Sequence, residues 1–151
     1  MKAEMLKRPM RVYVDTSVFG GAFDAEFQEA SLNFFDMVRS GEFRLVISST
    51  VSDELRDAPE AVRVFFRELG SYVEVAEIDP AAIELQAAYL AAHIVGPRWD
   101  ADALHVAVAT VSGCPAIVSW NFKHIVNSRR IALYNEVNLA HGYAAIAIHT
   151  P

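Results

Sequence analysis

Short runs of β-branched and aromatic residues recur along the chain and predict strands. They are RVYVD at residues 11–15, RLVISS at 44–49, YVEVAEI at 72–78, AIVS at 116–119 and AAIAIH at 144–149. Runs of this composition, bounded by polar or turn-forming residues, are typical of strands. Most of them are nearly unbroken apolar segments, which favours strands that are buried on both faces of a parallel sheet.

Apolar residues at helical spacing lie between these runs and predict helices. The spacing is clear from Phe27 to Arg39, and Gly41 is expected to end that helix. Further helices are predicted from Thr50, which Asp53 would assist in capping, from Pro80 to about 95 and from Asp100 to about 112, with a short one near Lys123 and another near Leu133. Pro59 either breaks the helix that starts at Thr50 or opens the next one, which runs to about residue 69.

Strands that alternate with helices predict an α/β fold. We expect a central, mostly parallel β-sheet of four or five strands, flanked by helices on both faces. A chain of 151 residues is long enough to bury one core. The sequence therefore predicts a single domain over residues 1–151.

The composition narrows the class of protein. Hydrophobic residues make up 53% of the chain and charged residues 21%, which excludes a disordered protein. No apolar run approaches the roughly 18 residues that a membrane-spanning helix needs, and MKAEMLKRPM has no apolar core of a signal peptide. The single cysteine, Cys114, cannot form an internal disulfide. We expect a cytoplasmic protein with no membrane partner.

The charge is unevenly distributed along the chain. The net charge of −6 argues against a protein that coats nucleic acid. After residue 102, however, positive charges are in excess, because Glu136 is the single acid beside the basic residues Lys123, Arg129 and Arg130. This segment could bind a polyanion locally, or it could be an ordinary mixture of surface charges.

Acidic residues follow the predicted strands. Asp15 ends the first predicted strand, and Glu54 lies on the predicted helix that follows the second. Asp102 lies in the first turn of the predicted helix before AIVS. Ligands of open α/β sheets bind at the carboxyl ends of the strands. Carboxylates gathered there repel one another unless a cation binds, and oxygen ligands without cysteine or paired histidine suit Mg²⁺ or Mn²⁺.

Each of these acids also has a purely structural interpretation. Asp15 could cap the next segment, and Asp100 is expected to cap its helix more than to bind metal. Asp53 is adjacent to Glu54, and either could be the metal ligand. We assign the capping role to Asp53 and the ligand role to Glu54. Asn121 after AIVS could cap a short helix, take part in catalysis, or do both. His105 and His124 could contact phosphate or act in proton transfer, but a hydrogen-bonded structural role is the simpler expectation.

Four segments together resemble a known family. VYVDTSVF, ISSTVSDEL, DADALHVAVA and AIVSWNFKHI, in this order, resemble the PIN-domain nucleases, especially the VapC-type toxins of bacterial toxin–antitoxin systems. The resemblance covers most of the chain and implies a PIN-like domain. It implies that Asp15, Glu54 and Asp102 bind the metal, and that Thr16 or Ser17 orients Asp15 or the attacking water. The family's usual fourth acid falls at Asn121, where an amide is a weaker ligand, and Asp100 could compensate.

The resemblance also implies an activity and partners. It implies an Mg²⁺- or Mn²⁺-dependent endoribonuclease in which a metal-activated water attacks the phosphodiester. Lys123, His124, Arg129 and Arg130 are candidates for RNA binding. A homodimer and an antitoxin protein are the implied partners. A PIN-like scaffold that binds RNA or protein without cutting is the alternative. A phosphotransferase with an aspartyl nucleophile at Asp15 is disfavoured, because Ser17 occupies the place of the usual partner acid.

Overall fold

The strands form one sheet in which every pairing is parallel. The computed structural model describes residues 8–151. The strands are β1 Met10–Val14, β2 Phe43–Ser48, β3 Val73–Ala76, β4 Ala116–Val118 and β5 Ala147–His149. They lie side by side in the order β3-β2-β1-β4-β5. All five predicted strands are confirmed, each within a few residues of its expected bounds.

Seven α-helices connect and cover these strands in residues 8–151. They are α1 Thr16–Gly21, α2 Gln28–Arg39, α3 Ser49–Leu55, α4 Glu60–Glu68, α5 Pro80–Ala91, α6 Asp100–Val111 and α7 Ser128–Ala140. Single 3₁₀ turns at Gly70–Tyr72 and Pro97–Trp99 precede β3 and α6. The predicted α/β fold is confirmed.

The helices form one layer on each face of the sheet. Aromatic rings join α1, α2 and α4 on one face, where Phe19 of α1 contacts Phe35 of α2 and Phe66 of α4. On the other face, Tyr13 of β1 contacts His105 of α6. On that face α5 packs against α6 and α7, and the buried Tyr89 and Tyr134 meet at the contact between α5 and α7. The central strands are therefore covered on both faces, which explains their continuous apolar sequences.

The order in which strands are added to the sheet reverses at β1. The first three strands run outward to one edge as β1, β2 and β3, and the chain then returns to place β4 and β5 on the other side of β1. The gap between the carboxyl ends of β1 and β4 is thus a topological switch point, where sheets of this class bind ligands. Asp15 follows β1 and Ser119 follows β4 at this gap.

A left-handed residue ends α5 earlier than the sequence suggested. The helix was expected to continue to about residue 95 and to end at Gly96-Pro97. Instead His93 adopts φ 58°, its N–H donates to the Leu90 carbonyl, and the N–H of Ile94 donates to the Tyr89 carbonyl. These bonds are those of a Schellman motif, which satisfies the last carbonyls of a helix. Gly41 ends α2 in the same way, as predicted.

Three local predictions were wrong. The prediction of a capping pair at Thr50 and Asp53 fails, because Thr50 lies inside α3, and the Asp53 carboxylate pairs with Arg56 at 3.2 Å. The short helix expected near Lys123 is a series of turns. Asp100 is the first residue of α6, whose N-cap position is held by Trp99 without a side-chain hydrogen bond.

Within the described residues, no helix has both the length and the apolar character to cross a membrane. The expectation for the N-terminal stretch MKAEMLKRPM falls mainly on residues 1–7, outside the part of the chain that the structure describes.

Candidate functional site

Asp15 is a buried carboxylate held by hydroxyl groups. Its side chain follows β1 at the switch point, and only 5% of the residue is exposed. Ser17 donates to Oδ1 at 2.5 Å and Ser119 donates to Oδ2 at 2.9 Å. Burial raises the pKa of Asp15 against the lowering effects of nearby His105 and of the two hydroxyls, and the negative charge of Asp102 raises it slightly further. The protein thus holds a carboxylate in a place that disfavours its negative charge.

Glu54 is the acid that α3 brings to the same edge. Thr16 donates to its Oε2 at 2.8 Å, and Nε2 of His105 lies 3.2 Å from its Oε1. Burial acts to raise the pKa of Glu54, but the hydrogen bonds from His105 and Thr16 outweigh it and keep the pKa below its ordinary value. Asp53, by contrast, points away to Arg56. The choice of Glu54 over Asp53 as the site residue agrees with these contacts.

A chain of buried hydrogen bonds that begins in the sheet supports Glu54. The Tyr13 hydroxyl lies 2.9 Å from Oγ of Ser48 and 2.8 Å from Nδ1 of His105. A carboxylate only accepts, so His105 must donate to Glu54 through Nε2. When the ring carries a single proton, Nδ1 then accepts from Tyr13, and Tyr13 accepts from Ser48. Each hydrogen bond in this chain is therefore donated in the direction of Glu54, from Ser48 to Tyr13, from Tyr13 to His105 and from His105 to Glu54.

Asp102 is supported by the turn that follows β4. Nδ1 of His124 lies 2.9 Å from Oδ2 of Asp102. The backbone N–H of His124 donates to Oδ1 of Asn121 at 2.9 Å, so Asn121 caps this turn. The backbone N–H of Asn121 in turn donates to Oγ of Ser119 at 2.9 Å. The capping interpretation of Asn121 is confirmed, although it caps a turn and not a helix.

These contacts join the four residues that the sequence singled out. A continuous path of hydrogen bonds runs from Asp15 through Ser119, Asn121 and His124 to Asp102. Thr16, the residue after Asp15, binds Glu54. The structure therefore brings Asp15, Glu54, Asp102 and Asn121 to one edge of the sheet. Asp100 is exposed at the start of α6, and among residues 8–151 its side chain makes no hydrogen bond or ion pair.

The candidate RNA-binding residues lie in different environments. Lys123 is exposed, with Nζ 5.5 Å from the centre of the Trp99 ring. His124 is buried against the same ring. Arg130 is half-buried and donates through Nε to the Ile94 carbonyl, so part of its side chain supports the loop after α5. Arg129 is exposed in the first turn of α7.

The donor set at this edge fits a hard divalent cation by its chemistry. Asp15, Glu54 and Asp102 offer carboxylate oxygens, which Mg²⁺ and Mn²⁺ prefer. In the described part of the chain, none of these acids pairs with Lys or Arg. No group of three His, Cys, Asp or Glu within residues 8–151 is arranged to hold a metal ion.

Two contributors to the site escaped the sequence analysis. Ser119 directly follows β4, and the rule that strand ends carry the site would have found it. Tyr13 stood in a strand of apolar residues, where nothing in the sequence shows that its hydroxyl meets His105. The half-buried indole of Trp120 stacks on Phe27 and donates to Ser31.

The comparisons with known proteins agree with this geometry. The family model described as PIN domain matches residues 11–123, which contain Asp15, Glu54, Asp102 and Asn121. The fold is similar to the crystal structure of VapBC2 from Rickettsia felis bound to a DNA fragment from their promoter, with a TM-score of 0.59 and 14% sequence identity. That alignment covers 94% of this chain and 99% of the other. No curated protein matches this chain.

Proposed function

From the premise that this chain belongs to the PIN domain family, we propose that it is a metal-dependent endoribonuclease. The observation that carries the proposal is the convergence of Asp15, Glu54 and Asp102 on one edge of the sheet, at the switch point between β1 and β4. In the described residues, these acids have only hydroxyl and histidine partners. A divalent cation would supply the missing positive charge.

In this proposal, Asp15, Glu54 and Asp102 hold Mg²⁺ or Mn²⁺. When bound, such an ion lowers the pKa of a water molecule and stabilises negative charge on a phosphodiester. Asp15 is fixed by Ser17 and Ser119, which leaves its position little freedom. Asn121 acts by holding His124 against Asp102, and not as a fourth acid. Asp100 lacks a contact with the other acids, so we assign it no more than a supporting role.

The phosphates of the substrate would be bound by the basic residues beside the site. Lys123 and Arg129 are exposed and can reach a phosphate chain, whereas His124 and Arg130 also have structural contacts. Hydrolysis by water leaves a 5′-phosphate and a 3′-hydroxyl, and the ribose 2′-hydroxyl takes no part. A 2′,3′-cyclic phosphate in the products would contradict this route.

We extend the proposal to a toxin of a toxin–antitoxin pair, with an antitoxin protein as partner and a homodimer as the assembly, acting in the cytoplasm. The four sequence segments support this extension, and the likeness of the fold to VapBC2 agrees with it. Coexpression with the product of a short neighbouring reading frame tests it. Relief of growth arrest and copurification of the two proteins is the expected result.

The second candidate function is a PIN-like scaffold that binds RNA or protein without cutting. One observation favours it: the protein's own hydroxyls and histidines already engage the carboxylates, and no three-ligand metal cluster exists within residues 8–151.

Cleavage of a pool of RNA separates the two functions. We expect cleavage with Mn²⁺, loss of cleavage with EDTA, and loss in Asp102→Asn. Asp53→Asn, which changes an acid of the same helix as Glu54 outside the site, is the matched control and should cut as the wild type does. Equal cleavage with and without EDTA, or none at all, would remove the nuclease proposal.

A further inference from the structure

Trp99 places an exposed indole beside the acidic edge of the sheet. The residue is the last of the 3₁₀ turn Pro97–Trp99, directly before α6, and 38% of it is exposed. Its ring centroid lies 4.5 Å from that of His124, with 30° between the planes. His124 contacts Asp102, so a single side chain separates the indole from a candidate metal ligand.

Two cations approach this indole from neighbouring segments. The Arg98 guanidinium carbon lies 5.2 Å from the centre of the ring, and Nζ of Lys123 lies 5.5 Å from it. Both side chains are long and belong to exposed residues, so they can exchange the ring for another partner at little cost. Arg98 and Lys123 thus place two positive charges at one exposed aromatic ring.

An aromatic ring flanked by cations has the chemistry that binds single-stranded nucleic acid. A nucleobase stacks on the ring, while the cations meet the phosphates on either side of that base. Stacking suits every base, because each has a π face, and it needs an unpaired strand, because a duplex hides its bases.

We propose that Trp99 is a stacking platform for one unpaired nucleobase of the substrate, with Arg98 and Lys123 binding the adjacent phosphates. The proposal rests on the proposed function, which it makes more specific: the substrate is single-stranded at the site of cleavage. The base on Trp99 belongs to a nucleotide next to the phosphodiester that faces Asp102.

Binding without cleavage tests the platform. The probe is a fluorescein-labelled oligouridylate in EDTA, measured by fluorescence anisotropy, beside a strand of the same length in which abasic units replace the nucleotides. Trp99→Leu should weaken binding of oligouridylate roughly 5- to 100-fold and leave the abasic strand unchanged. Trp99→Phe should retain most of the affinity, because the smaller ring still stacks.

Two further variants separate stacking from charge and from general damage. Phe23→Leu changes a similarly exposed aromatic residue, which packs on Phe65 of α4, and should bind as the wild type does. Lys123→Gln should weaken binding of both strands by the same factor and reduce the salt slope by about 0.7. Oligodeoxyuridylate should show the same loss in Trp99→Leu, since stacking does not involve the 2′-hydroxyl.

The proposal is overturned if Trp99→Leu binds oligouridylate as the wild type does, if it weakens both strands equally, or if the wild type does not distinguish the two strands. Its failure is distinct from failure of the nuclease proposal. If Trp99→Leu cleaves RNA with Mn²⁺ as the wild type does, the platform is refuted and the nuclease proposal stands. If oligouridylate binding depends on Trp99 but the wild type does not cleave RNA, the nuclease proposal is refuted and the platform stands.

Discussion

Replacement of Tyr13 by phenylalanine tests whether the buried hydrogen bonds beneath Glu54 prepare it to bind metal. Tyr13 is fully buried, and its hydroxyl joins Ser48 to His105. The substitution preserves the ring and removes one oxygen, so that Nδ1 of His105 loses its donor. His105 is then free to rotate or to move its proton to Nδ1, and either change removes the donor that holds Oε1 of Glu54.

The expected magnitudes follow from burial. A buried polar group left without a partner costs about 1–3 kcal/mol, so Tyr13→Phe should lower the free energy of unfolding by that order. Loss of an outer hydrogen-bond partner of a metal ligand weakens metal binding by about 10- to 100-fold. Tyr13 acts through His105, so we expect a decrease in Mn²⁺ affinity near the lower end of that range.

Tyr89→Phe is the matched control. Tyr89 is equally buried and donates to Asn138, between α5 and α7. It should lose a similar amount of stability in urea denaturation and keep the wild-type affinity for Mn²⁺ in calorimetric titration. If Tyr13→Phe binds Mn²⁺ as tightly as Tyr89→Phe does, the hydrogen-bonded chain is a structural feature of the core and does not position Glu54.

Three further substitutions test other parts of the structure. Because burial raises the pKa of Asp15 above its ordinary 3.8, the folded state loses stability as pH rises from that value through the raised pKa. Asp15→Asn should therefore raise the free energy of unfolding at pH 7 by about 0.5–2 kcal/mol without metal, and the gain should shrink toward pH 4; urea denaturation that shows no gain at pH 7 would contradict this. A Cβ on Gly21 would lie 2.6 Å from Nε1 of Trp120, so Gly21→Ala should cost about 1–3 kcal/mol, whereas Gly20→Ala meets no atom within 4 Å and should be neutral or slightly stabilising. Equal melting temperatures for these two variants would refute the close packing. His93→Gly should gain about 1 kcal/mol in denaturant unfolding, because a non-glycine residue is strained at φ 58°; a loss would show that the His93 side chain has contacts that outweigh the strain.

The sheet and its acidic edge could be predicted because they depend on local signals. Runs such as RLVISS are apolar enough to identify strands, and the strand-end rule places Asp15 and Glu54 near each other before any contact is known. Gly41 identified the end of α2 because glycine adopts the left-handed conformation at no steric cost.

Other features escaped prediction because they depend on tertiary contacts. Helix α1 has only six residues, ends in two glycines, and is held by packing on α2 and α4. His93 adopts the left-handed conformation without being glycine, so the end of α5 had no signal in the sequence. The contact of His124 with Asp102 joins residues in a loop and a helix that no spacing rule connects.

The central position of β1 determines when the acidic edge can form during synthesis. β1 pairs with β2 from the first third of the chain, but its other neighbour, β4, begins only at Ala116. The hydrogen bond from Ser119 to Asp15 spans 104 residues of sequence. A nascent chain on the ribosome can therefore pair its first three strands well before Asp15 gains its second hydroxyl partner. Any premature stop before β4 yields a polypeptide in which this arrangement cannot exist, so truncated products should lack the acidic edge altogether.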